Sequence, residues 1–279
     1  MTGARFTLSA FGDEAAEDLA AQLDVLERCG IRHLELRAAW GRNVVDLSKQ
    51  DVRRARALLD ERGFAVSAAA SPVGKSSLEQ SPGFELERLA RALDAAAALG
   101  TRLVRVFSFY PRPGEDPAAC RGEVLERLTA LAALAASRGA TLVLENEKGV
   151  YGDTPERVLD LIASVASPAL RAAFDPANFV QVGVPVLERA WPLLAPHTVH
   201  VHVKDALAPD GRVVPAGEGD GGWPALLASL AARGYQGYLT LEPHLALAGA
   251  HGGFSGEAGM LAAAAALRRL LDGVPAEVD

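Results

Sequence analysis

The feature that most constrains this chain is an alternation. A short apolar run with strand character is followed by a helix-period stretch, and the pair repeats along all 279 residues. Arg5–Phe11 reads as a strand and Glu14–Cys29 as a helix, with Leu19, Leu23 and Leu26 at helical spacing and Gly30 as its stop. The pattern recurs as His33–Ala38 with Asp51–Arg62, Phe64–Ser71 with Phe84–Leu99, and Arg102–Ser108 with a helix running to Arg138. It continues as Thr141–Glu147 with a helix opened by Thr154 and Pro155, then Leu170–Asn178 with Pro185–Leu194. Thr198–Asp205 with Trp223–Ala232, and Gly237–Pro243 with a last helix ending near Leu271, complete the series. Strands joined by helical crossovers run parallel. Eight units predict an α/β fold, a (β/α)8 barrel whose usual size is roughly 250 residues, spanning the chain as a single domain with a short frayed tail. A doubly wound open sheet is the competing architecture, but the first strand–helix turn, from Phe11 to Glu14, lacks the Gly-rich dinucleotide fingerprint.

Inside that frame the stretch TVHVHVKD at 198–205 is unusual. Val199, Val201 and Val203 alternate with His200, His202 and Lys204, the period of a strand. A buried parallel strand is normally apolar on both faces, and polar groups in the interior are costly unless paired. Three more predicted strands end in carboxylates: Glu145 in TLVLENE, Asp175 in LRAAFDPAN and Glu242 in YLTLEP. Barrel chemistry lies where strands end and the following loops begin. His202 is nearer that mouth than His200, because same-face residues advance about 6.6 Å per two residues. Glu145, Asp175, His202 and Glu242 are therefore expected to meet around one divalent metal ion, since three converging carboxylates would otherwise repel. Their donor set favours Mn²⁺, with Mg²⁺, Co²⁺ or Zn²⁺ also suitable.

The bulk properties narrow the partners. A formal net charge of -7 argues against a nucleic-acid or anionic-membrane binder. Cys29 and Cys120 stand in no metal-type spacing and read as reduced. The N-terminus lacks the apolar core of a signal peptide, and no apolar run approaches a membrane span, so the expected location is the cytoplasm. Neither a P-loop nor a nucleophile elbow is present.

The motifs LVLENE at 142–147, FDPANF at 174–179, VHVKD at 201–205, AGEGD at 216–220 and LEP at 241–243, with SAFGDE and SPVGK, resemble the sugar phosphate isomerase/epimerase group of the xylose isomerase-like TIM barrels. The resemblance spans the chain. It implies a metal on Glu145, Asp175, His202 and Glu242, with Glu145 and Glu242 as the catalytic acid/base pair. They would move the proton of a keto sugar or sugar phosphate through a metal-stabilised enediolate. Epimerisation, isomerisation and loss of a β-hydroxyl share that first step, so a lyase on the same scaffold is the alternative. A non-catalytic sugar-binding subunit stands behind both. Two positions depart from the group. Asn178 replaces a frequent His three residues after the metal Asp, which argues against a DNA-repair role, and Tyr151 replaces a Glu frequent in epimerases.

Substrate contacts are expected from Asn178, Lys204, Arg212 and Glu35. Arg212 is placed there by the resemblance, and Glu35 with Arg37 reads equally as a buried ion pair. Asp205 reads as an orienting group or a cap, and Glu147 as a carboxylate behind Glu145. The loop residues Lys75, Trp40, Phe109, His244 and His251 carry no settled role. A homo-oligomer is a fold-level expectation.

Overall fold

The computed structural model describes residues 3–208, 210–245 and 255–279. Eight parallel strands form the barrel: β1 Ala4–Ala10, β2 His33–Leu36, β3 Ala65–Ala69, β4 Leu103–Val106, β5 Thr141–Glu145, β6 Leu170–Phe174, β7 Thr198–Val203 and β8 Gln236–Leu241. Each pairs with the next, and β8 pairs back onto β1 from Arg5↔Gln236 to Ala10↔Leu241, which closes the sheet. The surrounding helices are α1 Leu19–Arg28, α2 Lys49–Arg62, α3 Pro82–Leu99, α4 Arg121–Ser137, α5 Pro155–Val165, α6 Trp191–Leu194, α7 Trp223–Ala232 and α8 Gly256–Leu271.

Local chemistry sets these boundaries. Asp18 caps α1 by accepting from the backbone N–H of Ala20 and Ala21, so the helix begins later than its apolar spacing suggests. Ser48 and Asp51 form a reciprocal capping box at the start of α2. Gly63 and Gly100 end α2 and α3 at φ of 67° and 82°, a conformation costly for residues with a Cβ. The predicted helix Pro185–Leu194 is in fact a π-turn, Val186–Ala190, running into α6. Buried Phe6, Leu34, Leu142, Phe174 and Trp223 belong to one apolar cluster that joins strands to helices.

Two departures from the alternation matter. The predicted strand Thr198–Asp205 stops at Val203, and Asp205–Leu207 turns away to pair antiparallel with Arg212–Val214. The tail expected to fray is instead a strand, β9 (Ala276–Val278), parallel to β1 through Ala4↔Ala276 and Phe6↔Val278. It takes the lower part of the β1 edge, which pairs with β2 only at Ser9 and Ala10. The backbone N–H of Asp279 donates to Phe6 O at 3.0 Å, and that of Leu8 to Asp279 O at 3.0 Å.

Candidate metal centre

The register explains how four distant residues meet. Glu145 lies level with Ala173, Ala173 with His200, and His200 with Tyr238. Asp175 and His202 stand one same-face step above that level and Glu242 two steps above it. This climb follows the slant of barrel strands, so one ring at the mouth crosses successive strands at rising positions. Irregular pairing between Ala172 and Ala173 leaves Val199 as an extra residue just before His200. A similar shift between Leu34 and Glu35 leaves Ser67 over on β3. Such bulges re-aim the side chains that follow them.

Glu145, Asp175, His202 and Glu242 are all buried, and each offers one donor atom within 4.8 Å of the others. His202 Nδ1 lies 3.1 Å from Glu145 Oε1 and 3.7 Å from Glu242 Oε2. Lys204 Nζ is 2.8 Å from Asp175 Oδ2 and 3.4 Å from Glu242 Oε2. Asn178 Nδ2 donates to Glu145 Oε1 at 3.3 Å and to Asn146 O at 2.9 Å. Asn146 in turn clamps the backbone of Asp175, donating to its carbonyl at 2.8 Å and accepting from its N–H at 3.0 Å.

The charges are under strain. Burial and the neighbouring carboxylates Glu242 and Glu145 push the Asp175 carboxyl up to about 6 against the pull of Lys204. Burial would raise Glu242 as well, but Lys204 and His244 hold it well below its usual range. Burial opposes a charge on His202, yet Glu145 and Glu35 raise it well above the ordinary imidazole value. Protons on Asp175 and His202 are the available answer to like charges brought together; a divalent ion is the other. Among the described residues, Glu145 Oε2, Asp175 Oδ2 and His202 Nδ1 are buried with only charged neighbours and no well-formed hydrogen bond. Three carboxylates, one imidazole and these orphaned atoms fit a hard or borderline divalent cation.

Beneath the cluster lies Glu35, fully buried, with Oε2 2.5 Å from His200 Nε2 and Oε1 3.4 Å from His202 Nε2. It therefore orients imidazoles in the layer below the mouth, rather than standing where substrate contacts were expected. His200 is also held by Thr240 Oγ1 at 3.2 Å. Arg212 is not brought to the cluster: it stands exposed on the hairpin with Asp210 Oδ2 3.9 Å away. Asp205 is an anchor, accepting backbone N–H groups from Ala206, Gly217, Gly219 and Gly221 at 2.8–3.0 Å, which pins the AGEGD turn. A Cβ on Gly219 would lie 2.5 Å from Asp205 Oδ1. Lys75 pairs with Glu147 Oε2 at 2.5 Å, over the Phe107 ring at 4.7 Å. Trp40 and Phe109 sit at positive φ, Phe109 fully buried in the core and Trp40 under the Arg54 guanidinium at 4.3 Å. His244 Nε2 lies 3.0 Å from Glu14 Oε1 and 3.4 Å from Glu242 Oε1. Burial lowers its imidazole, but Glu242 and Glu14 raise it to about 9. His251 lies outside the described residues.

Sequence reading missed Arg105 on β4 and, for Arg37 just past β2, offered an ion pair without its actual partners. Arg37 joins Asp13, Glu14 and Glu242 at 2.7, 3.1 and 3.3 Å. Arg105 Nη1 lies 3.3 Å from Glu145 Oε2 and 3.8 Å from Glu242 Oε1. The available signal was a lone charge in the apolar run Leu103–Val106.

A closed parallel barrel with a carboxylate–imidazole cluster at its C-terminal mouth defines a barrel protein with a cation-binding candidate site of the enzyme type. The chain belongs to the xylose isomerase-like TIM barrel family, whose model matches residues 23–270. Its fold is similar to that of a D-tagatose 3-epimerase-like protein, 19% identical, with a TM-score of 0.79 over 96% of this chain and 98% of that one. It is also similar to the IolI protein solved with a bound zinc atom, 16% identical, TM-score 0.75, over 96% and 99% of the two chains. A third similar structure is a probable 3-DHS dehydratase from Bacillus anthracis, 16% identical, TM-score 0.73, over 95% and 98%. No protein of curated function matches the sequence. No helix among the described residues is long and apolar enough to cross a membrane.

Proposed function

We propose that this chain is a single-domain, divalent-metal-dependent isomerase or epimerase acting on a small hydroxylated ketone such as a keto sugar or its phosphate. The observation that carries the reading is the set of four buried donors within 4.8 Å at the barrel mouth. Glu145, Asp175, His202 and Glu242 would hold the ion, with Mn²⁺ favoured. When bound, such an ion polarises a carbonyl and lowers the cost of removing a proton from the neighbouring carbon.

The chain's own residues supply the rest. Glu145 and Glu242 approach His202 Nδ1 on separate oxygens, from β5 and from the end of β8. Each carboxylate is kept below the ordinary carboxyl range and so stays ionised, free to hold the ion; in the reaction one would take a proton from carbon and the other return one. Asn178 Nδ2 orients Glu145, and Lys204 Nζ orients Asp175 and Glu242. A second reading, elimination of a β-hydroxyl, is favoured by Lys204. Its ammonium is kept charged by Asp175 and Glu242 against burial, and it would stabilise the oxygen of a departing hydroxyl, the proton that makes it water coming from the carboxyl that took one from carbon.

The test is metal content on purified protein, followed by NMR of keto sugars in deuterated water. About one Mn²⁺ per chain and deuterium at the carbon beside the carbonyl support the isomerase. Loss of water with a new conjugated-ketone absorbance selects the elimination. A chain that takes up no divalent ion defeats both and returns the binding-subunit reading. Action on a small molecule in the cytoplasm, without nucleic acid and as a homo-oligomer, belongs to the same proposal.

A further inference from the structure

The cations around the cluster say more than its ligands do. Arg105 projects from β4 into the barrel with its side chain 5% exposed. Its guanidinium lies 5.2 Å from the ring centroid of Phe11 and 4.8 Å from that of Phe107. Nη1 faces Glu145 and Glu242, and among the described residues Nη2 reaches Ala70 O alone, at 3.4 Å, while buried Nε has no hydrogen-bond partner. A guanidinium carries five N–H donors, and leaving them unpaired in the interior is costly. Lys204, 4% exposed, stands against Asp175 and Glu242. An ion held by Glu145, Asp175 and Glu242 competes for the oxygens these two cations now face. Arg105 and Lys204 are then short of counter-charge at the place where substrate binds. The hydroxyls of a neutral sugar do not compensate a buried charge, whereas an anion does.

Depth selects the anion. Arg105 lies within 3.8 Å of two ligand carboxylates, so the group it binds must be attached close to the reacting carbons. The terminal phosphate of a keto sugar sits several carbons from the carbonyl. A carboxylate beside the carbonyl reaches this depth, and its two oxygens match the planar fork of an arginine. Resting on the metal-dependent reading above, we propose that the substrate is a hydroxylated keto acid, its carboxylate seated on Arg105 and Lys204.

The test uses three short probes on the full chain, with and without Mn²⁺, by calorimetric titration: hydroxypyruvate, dihydroxyacetone and dihydroxyacetone phosphate. The first two differ only by a carboxylate in place of a hydroxymethyl group. Hydroxypyruvate is expected to bind about tenfold or more tighter than dihydroxyacetone, and Arg105→Gln to bring the two near parity with Mn²⁺ content retained. Lys204→Gln serves the same purpose should Arg105→Gln fail to fold. Equal binding of the first two probes by the wild type overturns the proposal. So does tightest binding of the phosphate, and so does a gap that survives in the folded variants, because the carboxylate then rests on the ion alone. Metal content is read separately. A wild type that takes up no Mn²⁺ sinks the metal reading and the carboxylate proposal that rests on it. A loaded chain with no gap sinks the carboxylate and leaves the metal reading standing.

Discussion

The two halves of the barrel make different contributions to one site. β5 to β8 carry every donor of the cluster at or just past their ends: Glu145, Asp175, His202 and Glu242. β1 to β4 carry none of these four and supply the surroundings instead: Phe11, Arg37, Arg105 and Phe107 around the cluster, and Glu35 beneath it. The donors are short side chains rising in step with the strand slant, so backbone register alone brings them together. The surroundings are long or flat side chains that reach across the barrel. Register fixes the first half's partners only loosely, and packing between rings and guanidinium groups does the rest.

Removing a donor should break the comparison most severely. Glu145→Gln and His202→Ala are each expected to abolish bound Mn²⁺. Any proton exchange the wild type catalyses should fall by about 10²–10⁴-fold. Elemental analysis and deuterium incorporation check the two effects; metal retained at full stoichiometry in both variants would show that the donors are wrongly assigned.

A change in the other half should reach the cluster more gently. Glu35→Gln alters a residue that touches His202 at 3.4 Å through the nitrogen facing away from the cluster. Outer partners of metal-binding imidazoles are typically worth about 10–100-fold in affinity, and a Mn²⁺ titration of folded protein should find a loss of that size. Unchanged affinity would mean the halves act independently.

Acidity sharpens the contrast further. His202 is raised well above its ordinary value and holds a proton that an incoming ion must displace, and Asp175, pushed up to about 6, takes on a second as the pH falls through that value. Falling pH favours the protons, and Mn²⁺ affinity should drop by about tenfold for each unit below that of Asp175 for every proton released. Flat affinity between pH 7 and 5, measured by competition with a chelator, would remove these residues from the ligand set. The smallest effect on the site is expected from Asp205→Asn, because Asp205 spends its carboxylate on the backbone N–H groups of a turn. It should cost about 1–3 kcal/mol of stability in a urea titration while Mn²⁺ content stays intact.

The donor half was legible in the sequence because its signal is local. A carboxylate closing an apolar run, or an imidazole alternating with valines, survives any reasonable error in register. Arg105 was not legible, since strand periodicity treats a lone charge as outward-facing, and only closure of the barrel turns it inward. Glu35 was singled out with a buried ion pair and a substrate contact both open, and its level in the barrel was not legible. Parity gives a strand residue its face, whereas its level depends on slant and on the extra residue Ser67, which no pattern announces. Arg212 was assigned by a loop resemblance, and the hairpin Asp205–Leu207 with Arg212–Val214 holds it out in solvent. β9 has too little apolar character to signal a strand; its pairing exists because β1 leaves an edge open below β2.

That tail strand has a consequence for how the molecule is made. Arg5 is flanked by Gln236 on one side and Glu277 on the other, so both neighbours of the first strand emerge late in synthesis. Until they form, β1 is held by β2 at Ser9 and Ala10, and its lower part offers unpaired backbone on both sides, a template for another chain. Contacts across such sequence distances are also slow to form. β1 is thus locked late, and loss of the residues from 236 onward would leave it with β2 alone, paired at Ser9 and Ala10.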